Sequence, residues 1–354
     1  MMSINNKKEN TKENFLKKFS LTSLIPILIM WAIFSFNTDN VDMDTYKYLY
    51  YILPSLPLKE TVGLEFGFVI IIRIFNYLSL NFQFFNFFIG SFCIVLLVRF
   101  VNLVSNNKFL VYILYFIFPF FLDVVQTRNT IAYLIVLNSL KFLLEKKHLK
   151  FIFSVVLASF FHVSALFFLI FLLVNYKKTN ILTLFFIPVP LVLILFKEII
   201  SKLLLFLPNG YKYVVYLQGT SMSIVFIVYI LLVINYIASI FVSQNNLILN
   251  KKYNYLDKFQ IYFIKKIPIF NLLLILSVVL VSLDVDFFRI VRNMMILNYV
   301  NLSFTIYKGK LLKSSSMFFS IIQFTIIIIF AYLFLYTNQI DTVILRILNN
   351  NIIF

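Results

Sequence analysis

Three arginines flanked by apolar residues are the side chains of this sequence best suited to binding an anion. Arg128 lies in DVVQTRNTIAYLIV, and Arg289 and Arg292 lie in LDVDFFRIVRNMM. A spacing of three residues places the last two on one face of a helix. Because a guanidinium can hold a phosphate group through two parallel hydrogen bonds, the three arginines together predict a diphosphate site. The alternatives are an interfacial position for Arg128, or local ion pairs with Asp123, Asp284 or Asp286.

A lone histidine within a long apolar run is a candidate general base. His162 lies in LASFFHVSALFFL. Histidine side chains exchange protons near neutral pH, which suits the activation of a hydroxyl group. The alternative is a buried histidine that forms a hydrogen bond with a neighbouring helix. Glu65, at the start of the apolar segment LEFGF, is either a partner of a helix dipole or a part of the site.

Acidic and aromatic residues in two predicted loops are candidates for binding sugars. Carboxylates accept hydrogen bonds from hydroxyl groups, and aromatic rings stack on sugar rings. The first loop holds three aspartates and two tyrosines: Asp39, Asp42, Asp44, Tyr46 and Tyr50. Among the aspartates Asp44 is the candidate, and a solvated position is favoured for the other two. The second loop, YKYVVYL, contains Tyr211 and Tyr213.

The composition indicates that helices in a membrane must position these residues. Of the 354 residues 62% are hydrophobic and 13% are charged, whereas soluble domains are about half apolar and about a quarter charged. The mean hydropathy is +0.95. In lipid the backbone must satisfy its own hydrogen bonds, which predicts an all-α polytopic protein. With one cysteine, Cys93, and two histidines, the chain has no internal disulfide, and we expect neither a metal nor another cofactor.

Hydropathy predicts about nine to eleven spans in a single domain over residues 19–336. The clear spans lie near 19–36, 83–104, 109–126, 128–145, 180–199, 222–243, 267–283, 288–306 and 316–336. Each is close to the roughly 20 apolar residues that cross a bilayer. Segments 62–80 and 150–176 are ambiguous. The remaining parts are a cytoplasmic tail (1–18), outer loops (37–62 and 201–221) and a C-terminal tail (337–354).

The formal net charge of +17 is best explained by lysines that lie beside anionic lipid on the cytoplasmic side. Membrane lipid is therefore an expected partner, and nucleic acid is not. With the lysine-rich turns inside, segment 150–176 must begin and end on the same side. This predicts a re-entrant or broken helix pair with His162 near its tip. The same topology places Arg128, Arg289 and Arg292 together at the outer face.

Several short motifs follow one another in a specific order along the chain. They are DTYKYLY (44–50), LEFGF (64–68), TRNTIAYLIVLNSLKFL (127–143), SVVLASFFHVSALFFLI (154–170), YKYVVY (211–216) and RIVRNMMILNYV (289–300). The pattern R-x-x-I-A followed by A-x-x-F-H-x-S-A is the most specific part. In this order the motifs resemble the EpsG family of exopolysaccharide polymerases, which are Wzy-like. Asn129 stands where a glutamine often follows the arginine in that family.

The resemblance implies a polysaccharide polymerase in the bacterial cytoplasmic membrane. Such an enzyme joins oligosaccharide repeat units, carried on undecaprenyl diphosphate, at the outer face by a metal-independent glycosyl transfer. The implied roles are as follows: Arg128, Arg289 and Arg292 hold the leaving diphosphate, His162 is the base with Asp44 or Glu65 behind it, and Tyr46, Tyr50, Asn129, Tyr211 and Tyr213 bind substrate. A chain-length regulator and a flippase are further candidate partners.

Other functions would use similar residues. A flippase for lipid-linked oligosaccharides also needs cations in a central cavity, but such transporters usually show repeated halves, and none is visible in this sequence. An O-antigen ligase and a glycosyltransferase that uses polyprenyl phosphate would share the fold but differ in the acceptor. A scaffold without activity would not need ionisable groups gathered on one side.

Overall fold

The protein is described by a computed structural model over residues 21–57, 65–196, 221–307, 310–311, 317–337 and 339–353. These residues are overwhelmingly helical, which confirms the predicted all-α class. The predicted cytoplasmic tail, Tyr211, Tyr213 and nearly all of the outer loop 201–221 lie outside the described residues.

The α-helices of the described residues are α1 (Leu21–Ser35), α2 (Met43–Ile52), α3 (Phe66–Tyr77), α4 (Phe82–Val104), α5 (Lys108–Ile117), α6 (Phe120–Val125), α7 (Thr127–Leu144), α8 (His148–Ser159), α9 (Thr179–Phe186), α10 (Pro188–Leu195), α11 (Met222–Tyr253), α12 (Lys258–Leu274), α13 (Ser277–Leu283), α14 (Phe288–Met294), α15 (Ile296–Ser303), α16 (Met317–Ala331) and α17 (Arg346–Asn349). The 3₁₀ helices are Leu53–Ser55, Val163–Asn175 and Val285–Phe287, and the π-helices are Tyr332–Tyr336 and Ile340–Leu345. A short antiparallel pair joins β1 (Ile306–Tyr307) to β2 (Lys310–Leu311).

Within the described residues, four helical stretches are long and apolar enough to cross a membrane. They are Phe82–Val104, Met222–Lys251, Lys258–Leu283 and Met317–Tyr336. Shorter apolar helices accompany them at Thr22–Ser35, Phe66–Tyr77, Lys108–Ile117, His148–Ser159, Val163–Asn175 and Thr179–Leu195. The chain is therefore a polytopic helical membrane protein, as predicted.

Prolines divide two of the predicted continuous spans. Segment 109–126 is split into α5 and α6, with Pro119 at the N-cap of α6. Segment 180–199 is split into α9 and α10, with Pro188 at the first position of α10. Proline lacks the backbone N–H that continues a helix but suits the first turn of a new one, so each break falls where the chain can restart.

The lysine-rich stretch 244–266, between the predicted spans 222–243 and 267–283, is almost entirely helical, whereas hydropathy predicts a loop there. Asn254 adopts a left-handed conformation and ends α11. Asp257 then starts α12 with a capping box: its carboxylate accepts from the Gln260 backbone N–H at 2.8 Å, and the Gln260 side chain accepts from the Asp257 N–H at 3.2 Å. The helices extend because these local signals satisfy the helix ends even where the sequence is polar.

Helix α7 runs through the centre of the protein. Most of its side chains are buried, and they include polar ones such as Thr130 and Ser139. The predicted span 128–145 is thus a core helix enclosed by other helices. At 1.5 Å per residue, its 18 residues cover about 27 Å.

A helical hairpin packs along α7 and carries His162 at its tip. Helix α8 starts beside the end of α7, where the Lys147 N–H donates to the Phe142 carbonyl at 2.7 Å. The returning 3₁₀ helix ends at the same level, because the Asn175 side chain donates to the Leu143 carbonyl at 2.9 Å. The hairpin therefore begins and ends at one end of α7, as the lysine distribution predicts. Glu65 contacts both His162 at the tip and Arg128 at the other end of α7, so the hairpin extends along α7 to that end.

The lysine-rich turns lie at the end of α7 that is remote from His162. Lys146, Lys147 and Lys150 directly follow α7 or begin α8. From α12, Tyr262 donates to Asn175 Oδ1 at 3.0 Å and Lys266 donates to the Val174 carbonyl at 2.9 Å, which places the first half of α12 at the same end. The protein thus has a basic end and, opposite to it, the end that holds the candidate site.

The close packing of α4 on α1 depends on Gly90. A Cβ atom added there would lie 2.7 Å from Ser35 Oγ and 2.9 Å from Ser35 Cα. Because a backbone atom cannot yield as a flexible side chain does, we expect Gly90→Ala to destabilise the protein by roughly 1–3 kcal/mol.

Thermal unfolding of the purified protein in detergent would measure this effect. Val95 lies on the same helix and is 63% exposed, so Val95→Ala is the control that should leave the melting temperature nearly unchanged. An unchanged melting temperature for Gly90→Ala would contradict the packing described for α1 and α4.

The C-terminal residues, expected as a tail, fold back onto the loop that precedes α2. Arg346 holds Asp39 through two hydrogen bonds of 2.9 and 2.8 Å. The Thr38 N–H donates to the Asn350 carbonyl at 2.9 Å, and the Asn351 side chain donates to the Ile33 carbonyl at 3.1 Å. These contacts place the C-terminal residues beside α1 and α2, where part of the segment forms a wall of the cavity described next.

Candidate functional site

The candidate site is a cavity of about 680 Å³ at the end of α7 where Arg128 lies. This volume falls in the range of ligand pockets, about 300–1,000 Å³. The lining is contributed by the loop before α2, α2, α6, α7, the hairpin tip, α14 and the C-terminal segment. The lining residues are Val41, Asp42, Tyr46, Leu122, Val125, Gln126, Arg128, Asn129, His162, Val285, Asp286, Phe288, Arg289, Arg292, Phe334, Gln339, Thr342 and Val343.

Glu65 contacts both Arg128 and His162 at the edge of the cavity. One carboxylate oxygen forms an ion pair with Arg128, and the other lies 2.6 Å from His162 Nδ1. The side chain is only 15% exposed. Burial alone would raise the pKa of Glu65, but the hydrogen bond with His162 and the charge of Arg128 outweigh burial and lower the pKa.

Close backbone contact between α3 and the hairpin tip brings Glu65 to His162. The Gly67 N–H donates to the Phe160 carbonyl at 2.8 Å. A Cβ atom at Gly67 would lie 3.1 Å from that carbonyl oxygen, so a larger residue would force the two segments apart. The glycine of the LEFGF motif therefore permits the approach on which the Glu65–His162 contact depends.

His162 is held between a carboxylate and a guanidinium. Its Nε2 atom lies 3.2 Å from Arg289 Nη1. Because arginine can only donate, Nε2 must accept in this contact, and the imidazole proton then resides on Nδ1, where it is donated to Glu65. Arg289 is itself held by Asp286, through Nη2 to the carboxylate at 2.8 Å and through Nε to the carbonyl at 2.7 Å.

Arg292 lies deeper, in the floor of the cavity, and is almost fully buried. It donates to Gln126 Oε1 at 2.8 Å and forms an ion pair with Asp123 at 3.3 Å. The second carboxylate oxygen of Asp123 accepts from Tyr115 at 2.8 Å and from Tyr133 at 2.7 Å. Arg292 Nε is buried without a hydrogen-bond partner among the described residues.

The comparison with known families decides the identity of the chain. The model of the EpsG family matches residues 20–346, nearly the whole sequence. The chain belongs to the EpsG family. No curated protein and no solved structure showed a significant match. Membership of the EpsG family and the membrane helices together fit a role in making polysaccharide.

Most of the predicted site residues of this EpsG family member meet at the cavity. Those that line it are Tyr46, Arg128, Asn129, His162, Arg289 and Arg292. Glu65 touches two of them. The guanidinium of Arg128 lies 5.7 Å from the centre of the Tyr46 ring, within range of a cation–π interaction. Asn129 exchanges hydrogen bonds of 3.4 and 3.2 Å with Asn293, which joins α7 to α14.

Two predicted site residues lie away from the cavity. Asp44 is exposed on the outer side of α2. Tyr50 is completely buried, and its hydroxyl donates to the Leu80 carbonyl at 2.7 Å. The reason is helical phase: α2 turns Tyr46 toward the cavity, and Asp42, four residues earlier, shares that face, whereas Asp44 does not. Tyr50 also shares the face but packs one turn further along, against Phe82 and Phe85.

The sequence favoured a solvated position for Asp42, but this residue lines the cavity. Its spacing from Tyr46 was a usable signal, because residues four apart share a helical face. Burial raises the pKa of Asp42, and the charges of Arg128 and Arg289 oppose that rise. Gln126, Gln339 and Thr342 were also missed, and their chain positions carry no comparable signal.

The observed ion pairs also differ from most of the local pairs that the sequence offered as alternatives for the arginines. Arg128 pairs with Glu65, while Asp123 pairs with Arg292. Only Arg289 forms the local pair, with Asp286, and it still reaches His162. The cavity thus presents three guanidiniums and an oriented imidazole to one space, an arrangement that can bind a polyanion and accept a proton beside it.

Proposed function

We propose that the protein is a polysaccharide polymerase that joins oligosaccharide repeat units carried on undecaprenyl diphosphate. The proposal rests on one observation, a single cavity that brings together three arginines and a histidine–carboxylate pair. Transfer of a glycan from a lipid diphosphate needs positive charge at the leaving group and a base at the acceptor. Membership of the EpsG family supports the same reaction class.

The arginines are suited to the leaving diphosphate. Arg128 occupies the second position of α7, where the backbone N–H groups of the helix N-terminus add positive potential. Arg289 and Arg292 face the same cavity from α14, and the buried Arg292 Nε has no hydrogen-bond partner in the described part of the chain. Preorganised donors of this kind stabilise the charge that develops on a leaving group as its bond breaks.

His162 is suited to accept the proton of the acceptor hydroxyl. In the step we propose, the hydroxyl oxygen attacks the anomeric carbon, and the bond from that carbon to the diphosphate oxygen breaks. The lipid diphosphate leaves with the bonding electrons, and the hydroxyl proton passes to His162 Nε2. A bound diphosphate draws Arg289 away from Nε2 and so frees its lone pair, while Glu65 stabilises the protonated ring through Nδ1.

The distribution of lysine supports a location of the cavity at the outer face of the bacterial cytoplasmic membrane. The lysine-rich turns gather at the opposite end of α7, and such turns are typical of cytoplasmic loops. At the outer face the enzyme would receive repeat units that a separate transporter has delivered.

Deletion of the gene tests the proposal. We expect surface polysaccharide on a gel to lose its long chains and to retain single repeat units, because units are still made and exported. Complementation with Arg128→Ala or His162→Ala should leave this defect uncorrected. The first variant lacks a cation at the leaving diphosphate, and the second lacks the general base, whose loss costs about a hundredfold or more in rate.

Matched controls are available within the chain. His148 and Arg99 are both exposed, so His148→Ala and Arg99→Ala should restore long chains. Loss of all exported units in the deletion strain would instead indicate a flippase. Normal chain lengths with His162→Ala, at normal protein levels, would remove the proposed base.

A further inference from the structure

We propose that the C-terminal segment, together with Asp42, forms a subsite that binds the hydroxyl groups of the acceptor sugar. We call Gln339, Thr342 and Val343 the C-terminal wall, because all three line the same cavity as the arginines. The inference rests on the proposed function and adds to it a separate place for the acceptor.

The cavity lining divides by charge into two kinds of surface. Arg128, Arg289 and Arg292 supply cations, whereas the C-terminal wall supplies an uncharged amide, a hydroxyl and an apolar side chain. Asp42 adds a carboxylate. A diphosphate is repelled by the carboxylate and gains far more from guanidiniums than from an amide. Sugar hydroxyls donate as well as accept, so amide, hydroxyl and carboxylate groups complement them.

Gln339 carries a hydrogen-bond acceptor that has no partner among the described residues. Its Oε1 atom is buried and accepts no hydrogen bond from any described residue. Buried polar atoms in folded proteins are nearly always paired, because an unpaired one loses its interaction with water and gains nothing in exchange. A hydroxyl group of a bound sugar would supply the missing donor.

The C-terminal wall and Asp42 are fastened to each other through their neighbours. The two hydrogen bonds between Arg346 and Asp39 join the helix that follows the wall to the loop that carries Asp42. The Thr38 N–H, donating to the Asn350 carbonyl at 2.9 Å, adds a backbone link between the same two segments. The two parts of the subsite are therefore held in one arrangement before the sugar binds, which reduces the entropic cost of binding.

A kinetic experiment with separate donor and acceptor tests the subsite. The full-length protein in lipid nanodiscs receives, as donor, lipid-linked repeat units extracted from the deletion strain. The acceptor is the same glycan released from its lipid, which can accept but cannot donate because it lacks the diphosphate. We expect Thr342→Val and Gln339→Ala/Thr342→Val to raise the KM for the released glycan, the double variant by about tenfold.

A second readout separates the subsite from the arginines. Undecaprenyl diphosphate without sugar should inhibit both variants as strongly as the wild type. It should bind less tightly to Arg128→Ala, which is not expected to polymerise, than to the wild type. Thr337→Val is the matched control, since Thr337 is exposed on the same segment and donates to the Leu333 carbonyl outside the cavity lining.

Each outcome bears on one proposal. An unchanged KM for the released glycan in the double variant overturns the subsite, as does an equal weakening of inhibition by undecaprenyl diphosphate. If the wild type neither elongates the released glycan nor responds to undecaprenyl diphosphate, the proposed polymerase function itself is overturned.

Discussion

The Glu65→Gln variant is expected to lose polymerase activity by about a hundredfold or more while it remains folded. Glu65 accepts from Arg128 with one oxygen and contacts His162 Nδ1 with the other. Glutamine offers one acceptor oxygen and one NH2 group, so it can accept from only one of these two donors. The ring of His162 would lose its orientation, or Arg128 would lose its partner. Either change removes the arrangement on which general-base catalysis depends.

The chain contains a matched control for this substitution. Glu145 forms an ion pair of 2.6 Å with Lys147, but both side chains are largely exposed. Exposed ion pairs contribute little to stability, so Glu145→Gln should polymerise at the wild-type rate. Chain-length profiles and initial rates in membranes of equal protein content make the comparison. A Glu65→Gln variant that kept the wild-type rate would show that His162 needs no carboxylate, and the proposed base would lose its support.

The pairing of Glu65 could not be read from the sequence. Its two partners lie 63 and 97 residues away along the chain. Hydropathy marks Glu65 as unusual at the start of an apolar segment, but it gives no information about which helices meet there. The contact exists because the hairpin folds back along α7 and because Gly67 allows α3 to approach its tip. Both are consequences of tertiary packing.

Other features were predictable because their cause is local or statistical. Helical periodicity places Arg289 and Arg292, which are three residues apart, on one face of a helix, and both line the cavity. The hairpin around His162 followed from the lysines on either side of it, because segments that begin and end beside basic turns do not cross once. The residues of the capping box, Asp257 and Gln260, also have the spacing of that motif in the sequence, but a hydropathy profile does not detect it.

The C-terminal wall shows where sequence reasoning stops. Residues 337–354 contain too few consecutive apolar residues for a span, so hydropathy leaves them as a tail. Their place in the site depends on Arg346 and Asp39, which are 307 residues apart. An ion pair of that separation leaves no periodic signal in one sequence. Thus the apolar helical segments and most of the charged candidates were predictable, but the breaks within those segments, the partners that orient the charged residues and one wall of the cavity were not.

Substitution of Arg292 is expected to have the second large effect. It should reduce the stability of the fold as well as the activity. Asp123 is completely buried, and Arg292 is its cationic partner. Removing one member of a buried pair leaves the other charge uncompensated, at a cost of about 3–5 kcal/mol. We therefore expect Arg292→Ala to lower the melting temperature and the yield of the purified protein markedly. Arg99→Ala, an exposed change on α4, should alter neither.

A double substitution separates the structural role of Arg292 from its role in binding. In Asp123→Asn/Arg292→Gln both charges are gone, and the new amide oxygen at position 123 can still accept from Tyr115 and Tyr133. Neutral replacements of a buried pair are often tolerated, so the melting temperature should recover most of its loss. Polymerisation should not recover, because the diphosphate would still lack one of its three guanidiniums. If long chains returned together with stability, Arg292 would serve only to neutralise Asp123, and the diphosphate site would reduce to Arg128 and Arg289.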